Sequence, residues 1–419
     1  MIAMTGTTTA AAATTRRGVL ALPLLALPSL AIGPAARSEP AAVDWPAFGR
    51  RAAAPIRAAV AAADGPVLLT SYVTDGGEAF DVSHAETAYT YDNALAGLAL
   101  LAAGDRAGAA RLGTALALVQ EQDRHWRDGR LRNAYAAGRV FPEAPRSARP
   151  PGWWDARAGR WVEDGYAAGS AAGPVAFCIL LWTALGPAFA APAGRVADWI
   201  ETLRGPRGYR GGTVGHEPSP SLLAWVSTEQ NLDLAVALAR LGRAGAAAHA
   251  AALVRSLWLP AEGRFAVGLR PDGSVNGDSG LDANLWPLLA LPGEAGFAPA
   301  LDWALSRHGL PAGAPPAELD GLDFDLDRDG IWMEGTAQAA LLLRRRGRGA
   351  LAARLAATLA RHARPDGWIT AASVPWLTTG LETGVTPGVA DFRYPARGHL
   401  AANAWAALAG FDVSPFDPA

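Results

Sequence analysis

One type of segment recurs six times along the chain: a run of apolar residues with helical spacing, opened in most copies by a polar residue. The copies begin at residues 92, 173, 229, 282, 334 and 402, at intervals of 52 to 81 residues. Such a period accommodates a helical hairpin and its loops. Amphipathic, arginine-bearing segments lie between the copies, near residues 46–63, 105–122, 190–204, 243–258, 295–309 and 348–363. The sequence therefore predicts twelve helices in six pairs, with one nearly apolar and one half-solvated helix in each pair.

A closed ring is the arrangement that buries six apolar helices, because the amphipathic helices then surround them. We therefore predict an all-α (α/α)6 toroid of six helical hairpins. Connections from an inner to an outer helix are short, as at Gly104 and Gly242. The return connections are long and cover residues 64–84, 123–166, 205–226, 259–279, 310–333 and 364–397. Long loops on one face indicate the functional face, and here that face holds the N-termini of the inner helices.

Strand signals are weak throughout the chain. Residues 264–275 contain the turn sequence Pro271-Asp272-Gly273. Turn residues between two short extended runs are typical of a small hairpin. We expect this segment to add a local hairpin to a long loop without changing the all-α class.

The N-terminal residues resemble a targeting signal. Arg16 and Arg17 precede an apolar stretch without further charge until Arg37. Paired arginines before an apolar segment are typical of twin-arginine export signals, and the prolines within this stretch disfavour a membrane-spanning helix. We expect residues 1–38 to be an export signal and residues 39–419 a single toroid domain, located in the periplasm or outside the cell. The alternative is a retained N-terminal anchor.

Composition excludes several classes of function. The 37 basic and 39 acidic residues give a net charge of −2, which offers no general attraction for nucleic acid. Cys178 is the single cysteine, so neither an internal disulfide nor a cysteine-based zinc cluster can form. We expect no membrane span after removal of the signal, and we assume a monomer. The 15 tryptophans fit either helical core packing or the stacking of sugar rings on indole faces.

Four inner segments open with an acid, and the predicted ring would direct all four to one pocket mouth. These acids are Asp92, Glu229, Asp282 and Glu334. Any one of them could simply cap its helix. However, Trp225 and Trp332 stand just before two of them, and paired carboxylates beside aromatic platforms are what hydrolysis of a glycosidic bond requires. Mutual repulsion within such a group keeps some carboxyls protonated near neutral pH.

Several of these openings resemble those of six-hairpin glycosidase-like proteins. The similar segments are Thr90 to Leu95, Ser227 to Asp233, Trp332 to Thr336 and His399 to Trp405. Residues 126–129 and 133–135 also look like a substrate-side loop of that group. The resemblance implies action on polysaccharides or oligosaccharides through a pair of Asp or Glu residues. It implies Glu229 and Glu334 as acid and base, with Asp92 and Asp282 as the reserve pair.

The expected activity is inverting hydrolysis of a bacterial carbohydrate, without a required cofactor. The expected substrate-binding residues are Tyr91, Asn133, Tyr135, Trp225, Gln230, Asn231, Trp286, Trp332 and His399. Two alternatives stay open. A polysaccharide lyase or sugar epimerase on the same toroid could use His84 with neighbouring tyrosines, and a non-catalytic carbohydrate-binding protein could act in exopolysaccharide handling. The arginines Arg130, Arg132 and Arg139 could select an acidic sugar.

An acidic loop precedes the fifth inner segment. Its oxygen-bearing side chains alternate as in the first half of a calcium loop, and Gly330 provides the sharp turn. The predicted ligands are Asp325, Asp327 and Asp329. Thr336 stands where the usual bidentate Glu would be, so the motif is incomplete. A structural calcium would brace the loop that delivers Trp332 and Glu334; the alternative is a solvated acidic turn.

Overall fold

The computed structural model describes residues 42–418, and twelve long helices account for most of its regular structure. In chain order they are α1 Trp45–Ala61, α2 Thr90–Ala102, α3 Arg106–Glu121, α4 Ala172–Leu185, α5 Ala190–Glu201, α6 Thr228–Arg240, α7 Ala244–Ser256, α8 Leu281–Ala290, α9 Pro299–Arg307, α10 Met333–Arg345, α11 Gly349–Arg361 and α12 Leu400–Phe411. Two short helices, Ala79–His84 and Gly165–Ala168, lie in loops, as do the 3-10 turns Pro187–Phe189, Ala295–Phe297 and Pro316–Glu318.

The even-numbered helices form a closed inner ring. Each packs against the next one, and α12 returns to α2. The odd-numbered helices lie outside, each beside its hairpin partner, with α1 beside α12. Helix α4 shows why the ring forms: it is apolar on every side, and Phe177, Cys178 and Trp182 are buried within it. The predicted all-α (α/α)6 toroid is confirmed.

The seam between α1 and α12 is a close backbone contact. A Cβ atom on Gly410 would overlap the backbone of Gly49, and one on Gly49 would lie 3.0 Å from the ring of Phe411. Only glycine allows two helix backbones to approach this closely. The first and last helices of the ring are therefore joined as tightly as neighbours in sequence.

The two ends of the ring differ in their connections. At one end, α2–α3, α6–α7 and α10–α11 are joined by three-residue turns that contain Gly104, Gly242 and Gly347. The φ angles of these glycines are 78°, 73° and 71°, a region that side chains with a Cβ rarely adopt. The connections at the other end cover residues 62–89, 122–171, 202–227, 257–280, 308–332 and 362–399. The predicted face of long loops is thus present at the N-termini of the inner helices.

Strands in the described residues are two to four residues long and all lie in the loops. The paired strands are Val67–Leu68 with Gly138–Arg139, Thr87–Tyr89 with Ala134–Ala136, Gly152–Asp155 with Arg160–Glu163, Ser170–Ala171 with Gly212–Val214 and Ser221–Leu223, Val226–Ser227 with Gly268–Leu269 and Val275–Asn276, Trp258–Leu259 with Arg264–Phe265, Gly309–Leu310 with Gly321–Leu322, and Trp376–Thr378 with Arg393–Pro395. The hairpin expected within residues 264–275 forms at 268–276 instead. Residues 264–265 pair instead with the preceding strand Trp258–Leu259, and the backbone N–H of Phe265 donates to Asn284.

A row of asparagines fastens the long loops to the inner helices. The side-chain oxygens of Asn93, Asn231, Asn284 and Asn403 each accept a hydrogen bond from a loop backbone N–H at 2.7–2.9 Å. Their amide nitrogens donate to backbone carbonyls in the loops and in the preceding turns, and Asn403 also donates to the carbonyl of Ala52 in α1. On α10, Thr336 accepts from the N–H of Leu322 in the same way. The first turn of each of these helices is thereby fixed against its loop.

Three further sequence observations concern membrane insertion, export and the single cysteine. Within residues 42–418, no helix is long and apolar enough to cross a bilayer. The predicted export signal at 1–38 lies outside the described residues. Cys178 is buried, and this burial raises the pKa of its thiol well above the usual range.

Candidate functional site

The four predicted acids lie in the first turns of α2, α6, α8 and α10, at the face of long loops. Asp92, Asp282 and Glu334 are only 4%, 5% and 2% exposed, and Glu229 is half-buried. The negative charges of Asp92 and Asp282 raise the pKa of Glu334, and those of Asp282 and Glu334 raise that of Glu229. The structure therefore brings the four side chains into one cluster.

The acids do not share one register. Glu229, Asp282 and Glu334 stand two residues before the side chain that fastens the loop, whereas Asp92 stands one residue before Asn93. Tyr91 occupies the equivalent position on α2. One residue rotates a side chain by about 100° around a helix. Asp92 consequently faces His399, with its Oδ2 3.4 Å from the ring Nε2.

Glu334 is held by a short chain of hydrogen bonds. The hydroxyl of Tyr91 donates to Glu334 Oε1 at 2.6 Å, and Trp405 Nε1 donates to that hydroxyl at 2.9 Å. Burial raises the pKa of Glu334 to about 7, although His399 and the Tyr91 hydrogen bond act in the opposite direction. Glu334 is thus a carboxyl group that changes protonation state near neutral pH.

Glu229 and Asp282 form a carboxyl pair. Burial, with the charges of Asp282, Asp233 and Glu334, raises the pKa of Glu229 well above its usual range. Burial raises the pKa of Asp282 to about 6, and a hydrogen bond from Glu229 opposes this shift. The proton of the pair therefore resides on Glu229, and the negative charge on Asp282.

A fifth acid, Asp233, was missed by the sequence analysis. It follows Glu229 by four residues, so it lies one turn further along α6 on the same face. Both carboxylate oxygens are buried without a hydrogen-bond partner among the described residues, and burial raises the pKa of this group strongly. Its i,i+4 spacing from Glu229 on a largely apolar inner helix was the available signal.

Aromatic side chains from the long loops form a closed circuit of rings, which we call the aromatic collar. Consecutive ring centroids are 4.6–6.5 Å apart. The members are Tyr72, Tyr89, Tyr166, Phe392, Tyr394 and His399. The charge of Asp92 raises the pKa values of all four tyrosines, those of Glu334 and Asp282 contribute at Tyr394, and that of Glu229 at Tyr166. The collar therefore lies beside the acid cluster, and only His399 of its members was a predicted binding residue.

The three predicted tryptophans occupy different places. Trp332 is buried beneath the collar, with its ring centroid 5.5 Å from that of Tyr394. Trp286 is buried in the core, 5.8 Å from the ring of Trp405. Trp225 is half-buried and packs over Gly211. Trp332 can affect a bound sugar through Tyr394, whereas Trp286 contributes to packing.

Asn133, Tyr135 and Asn231 are structural in this arrangement. Asn133 accepts a hydrogen bond from the N–H of Ala171 at 2.7 Å and donates to the carbonyl of Tyr166 at 2.9 Å. The buried hydroxyl of Tyr135 accepts from the N–H of Arg132 at 3.0 Å. The amide group of Asn231 is bound to loop and helix backbone. Asn133 therefore positions collar residue Tyr166, and none of the three amide or hydroxyl groups faces open space.

The second hairpin, α4–α5, has Gly173 instead of an acid at the start of its inner helix. Side chains of the neighbouring helix α6 occupy the space in front of this glycine. A Cβ atom on Gly173 would lie 3.0 Å from Gln230 Cγ and 3.3 Å from Asp233 Oδ2. Gln230 is half-buried, and its Oε1 has no hydrogen-bond partner among the described residues. Gln230 is thus a predicted binding residue whose buried side-chain oxygen has unmet hydrogen-bonding capacity.

Two of the three arginines proposed to select an acidic sugar form salt bridges away from the acid cluster, and the third, Arg139, is exposed and lies over the ring of Phe141. Arg132 is fully buried and forms salt bridges with Asp123 at 2.6 Å and Glu217 at 3.0 Å. Arg130 pairs with Asp128 at 2.6 Å. Within residues 42–418, no arginine forms a salt bridge with an acid of the cluster. The acid cluster therefore has no arginine counter-charge among the described residues.

The acidic loop brings together a different set from the one predicted. Oxygens of Asp323, Asp325 and Asp327 all lie within 4.8 Å of one another. The third predicted ligand, Asp329, instead accepts a hydrogen bond from the N–H of Thr378 at 3.0 Å, and its Oδ2 lies 3.0 Å from the Thr378 hydroxyl oxygen. Asp323 was missed because it lies one position before the recognised motif.

The chain matches no protein-family model and no curated protein. Solved structures similar to it include a glycosidase variant in complex with glucose, at 15% identity and a TM-score of 0.53, with 88% of this chain and 96% of that chain covered. An alpha-amylase from Clostridium perfringens has 9% identity and a TM-score of 0.58, with 88% and 97% covered. The cellobiose 2-epimerase from Spirochaeta thermophila DSM 6192 has 14% identity and a TM-score of 0.56, with 88% and 96% covered. The chain thus shares the (α/α)6 toroid with these enzymes, which confirms the predicted resemblance to six-hairpin glycosidase-like proteins at the level of the fold.

Proposed function

We propose that the protein is a sugar-processing enzyme and, more specifically, a glycoside hydrolase acting on a polysaccharide or oligosaccharide. One observation carries this proposal. Two carboxyl groups of the cluster differ in acidity, because burial and the charges of Asp282, Asp233 and Glu334 raise the pKa of Glu229 well above its usual range, while the pKa of Glu334 is about 7. Hydrolysis of a glycosidic bond needs one protonated and one ionised carboxyl group. Glycosidase and alpha-amylase structures on the same fold support the assignment.

The proposed reaction assigns one role to each carboxyl group. Glu229 gives its proton to the glycosidic oxygen as the bond from that oxygen to the anomeric carbon breaks. Glu334 takes a proton from a water molecule whose oxygen attacks the same carbon from the opposite side. The product is an inverted hemiacetal and a free alcohol. Tyr91 stabilises the ionised form of Glu334, and Asp282 holds Glu229 through their shared hydrogen bond.

A neutral sugar fits the site best. Rings such as those of Tyr89, Tyr166 and Phe392, which are partly exposed, can stack on the C–H faces of a pyranose. The Gln230 Oε1 atom has no hydrogen-bond partner among the described residues, and a small movement of this half-buried side chain would let it accept a hydrogen bond from a sugar hydroxyl. An anionic sugar would meet five carboxyl groups without a paired arginine, so we propose that it is rejected.

A sugar epimerase is the second candidate. His399 is buried beside Asp92 and its Nδ1 has no partner among the described residues, as a proton-accepting imidazole would require. The cellobiose 2-epimerase on the same fold supports this alternative. A lyase fits less well, because the raised pKa values of Tyr72, Tyr89 and Tyr394 keep these phenols protonated at neutral pH.

The test combines a panel of neutral polysaccharides and oligosaccharides with carboxyl variants. We expect release of reducing ends, with inversion visible by NMR in the first product anomer. Glu229→Gln and Glu334→Gln should each lower kcat by about 10³-fold or more while binding persists, because each removes one proton-transfer step. The matched control is Asp302→Asn, an acid on outer helix α9 that pairs with Arg348 and should retain full activity.

Other outcomes would redirect the assignment. Products of unchanged mass, lost on His399→Ala, would establish the epimerase. Products with a new near-ultraviolet absorbance would establish a lyase. Binding of oligosaccharides without turnover, and without any effect of the carboxyl variants on it, would leave the non-catalytic carbohydrate-binding protein.

We also propose, from the sequence alone, that the protein is exported by the twin-arginine route. The carrying feature is the pair Arg16-Arg17 before an uncharged apolar stretch. Replacing both arginines by lysine should cause the full-length protein to accumulate in the cytoplasm, as measured by cell fractionation. Unchanged fractionation of that double variant would refute this route.

A further inference from the structure

The acidic loop before α10 contains an unbalanced buried charge. Asp323 is fully buried, with 0% of its surface exposed. Its Oδ1 accepts a hydrogen bond from the N–H of Phe324 at 2.6 Å, whereas its Oδ2 has no partner among the described residues. One of its oxygens converges with oxygens of Asp325 and Asp327. A buried carboxylate without a partner costs several kcal/mol.

No protein cation compensates this charge. Among the salt bridges of residues 42–418, none involves Asp323, Asp325 or Asp327, and the whole sequence contains no lysine. The backbone N–H groups of Phe324, Asp327 and Asp329 each donate to one oxygen of the cluster, and the Thr378 hydroxyl donates to Asp327 Oδ2 at 2.6 Å. These neutral donors bring no positive charge, and the buried Asp323 Oδ2 still has no partner among the described residues. Three converging carboxylates with a buried free oxygen are arranged as ligands for a cation from solution.

We propose that Asp323, Asp325 and Asp327 bind a calcium ion. The donors are all carboxylate oxygens. Ca²⁺ and Mg²⁺ prefer such hard ligands, whereas zinc usually binds nitrogen and sulfur ligands. Calcium tolerates irregular shells of six to eight oxygens, and the exposed side of Asp327 leaves room for water molecules to complete the shell. Gly380 contributes space, because its Cβ position lies 3.2 Å from Asp325 Oδ2.

The proposed ligand set is shifted by two residues relative to the calcium-loop motif in the sequence. The alternating carboxylates used are residues 323, 325 and 327, not 325, 327 and 329. Asp329 is directed to Thr378, so it anchors the loop to a neighbouring segment. The two ligand sets therefore make opposite predictions for Asp323 and Asp329.

A cation here would join two segments that reach the acid cluster. Downstream of the loop, Trp332 binds the carbonyl of Leu322 and precedes Glu334 by two residues. Thr378 lies in the strand Trp376–Thr378, which pairs with Arg393–Pro395, and Leu377 is opposite Tyr394 of the collar. The bound ion thus stabilises the positions of both Glu334 and Tyr394 without touching either.

The experiment is calcium titration of the chelator-treated full chain by calorimetry, with thermal unfolding in Ca²⁺ and in Mg²⁺. We expect one Ca²⁺ per chain with a Kd on the order of 10⁻⁵ to 10⁻³ M, and a Tm that rises with calcium concentration. No binding heat and no Tm change would overturn the proposal, since protons alone would then neutralise the cluster. Tighter binding of Mg²⁺ than of Ca²⁺ would overturn the choice of metal.

Variants decide the ligand set. Asp323→Asn and Asp325→Asn should each weaken calcium binding by about 10-fold or more, because each removes a charged ligand. Asp325 is half-buried, so its variant remains informative if Asp323→Asn does not fold. The matched control, Asp329→Asn, removes the same charge two residues away and should keep the Kd within about threefold. Loss of binding in Asp329→Asn with retention in Asp323→Asn would refute the proposed set.

Discussion

Two rows of polar residues stand within three positions of each other at the start of the inner helices, and they are treated in opposite ways. In the asparagine row, the amide groups of Asn93, Asn231, Asn284 and Asn403 are bound to backbone on both sides. In the acid row, a buried oxygen of Asp92 accepts no hydrogen bond and lies 3.4 Å from the His399 ring nitrogen, and Glu229 and Asp282 share a proton. The satisfied row holds the loops in place. The unsatisfied row is left for a ligand.

This contrast explains how a strained site can persist. Buried carboxyl groups with unmet hydrogen-bonding capacity lower the free energy of unfolding, and such strain is tolerated where the surrounding structure fixes it. The asparagine row supplies that fixation on the same helical turns. Mutations in the two rows should therefore have opposite effects on stability.

The largest effect is expected in the asparagine row. Asn231→Ala should lower the free energy of unfolding by about 3–5 kcal/mol, because the Tyr209 N–H and two backbone carbonyls lose their buried partner. Urea unfolding measures this change. The control Asn276→Ala, in the 268–276 hairpin, should cost less than about 1 kcal/mol. A stable Asn231→Ala protein with a raised KM would instead place Asn231 in the binding site.

In the acid row, a mutation should raise the free energy of unfolding instead of lowering it. The pKa of Glu334 is about 7 in the folded protein against 4.5 for a free carboxyl group. The unfolded chain therefore ionises first, and stability is lost as pH rises from about 4.5 to about 7. Glu334→Gln should raise the free energy of unfolding by about 3 kcal/mol near pH 8 and by almost nothing near pH 4. Urea unfolding at both pH values tests this, and equal effects at the two would contradict it.

A smaller effect, on the pH dependence of activity, is expected for Tyr91 and not for the neighbouring tyrosine Tyr89. Its hydroxyl favours the ionised form of Glu334, so Tyr91→Phe should raise the pKa of that carboxyl. With Glu334 as the base, the acidic limb of kcat/KM against pH should move upward by about one unit. Tyr89→Phe, which makes no bond to Glu334, should leave the limb in place. Movement of the alkaline limb alone would exchange the roles of Glu334 and Glu229.

The smallest effect concerns the hairpin without an acid. Gly173→Ala places a methyl group against the flexible side chain of Gln230, and the gain in helix propensity offsets part of this crowding. We expect a stability change within about 1 kcal/mol, with KM altered through displacement of Gln230. Gly335→Ala should cost more, because its Cβ would overlap the ring of Trp332. If Gly173→Ala changes neither the stability nor KM, Gln230 is excluded from the site.

The sequence is informative about the fold because apolar periodicity survives in every inner helix. All twelve predicted helices are present, since tertiary packing and local pattern agree along α2, α4, α6, α8, α10 and α12. The four acids were recognisable from their place at helix starts. Asp233 was overlooked, because its single signal is the four-residue spacing from Glu229 inside an apolar helix, and it does not stand at a helix start.

The rest of the site lies where periodicity is lost. Tyr72, Tyr166, Phe392 and Tyr394 come from loops whose sequences carry no repeating signal, so only the folded chain shows that their rings meet. The same limit applies to the acidic loop. A spacing template selects Asp329, but burial selects Asp323, and burial cannot be obtained from spacing.

The glycine contact between α1 and α12 has a consequence for how the ring is assembled. Five hairpins are local in sequence, whereas the sixth joins Gly49 to Gly410. The entropy of closing so long a loop grows only logarithmically with its length, so the seam is not costly at equilibrium. The seam between α1 and α12 forms late during synthesis, because α12 can dock only after every other helix has been made. Nascent chains therefore expose the flanks of α1 and α2 until synthesis is almost complete, and a circular permutant opened at Gly242 would move that exposure to α6 and α7.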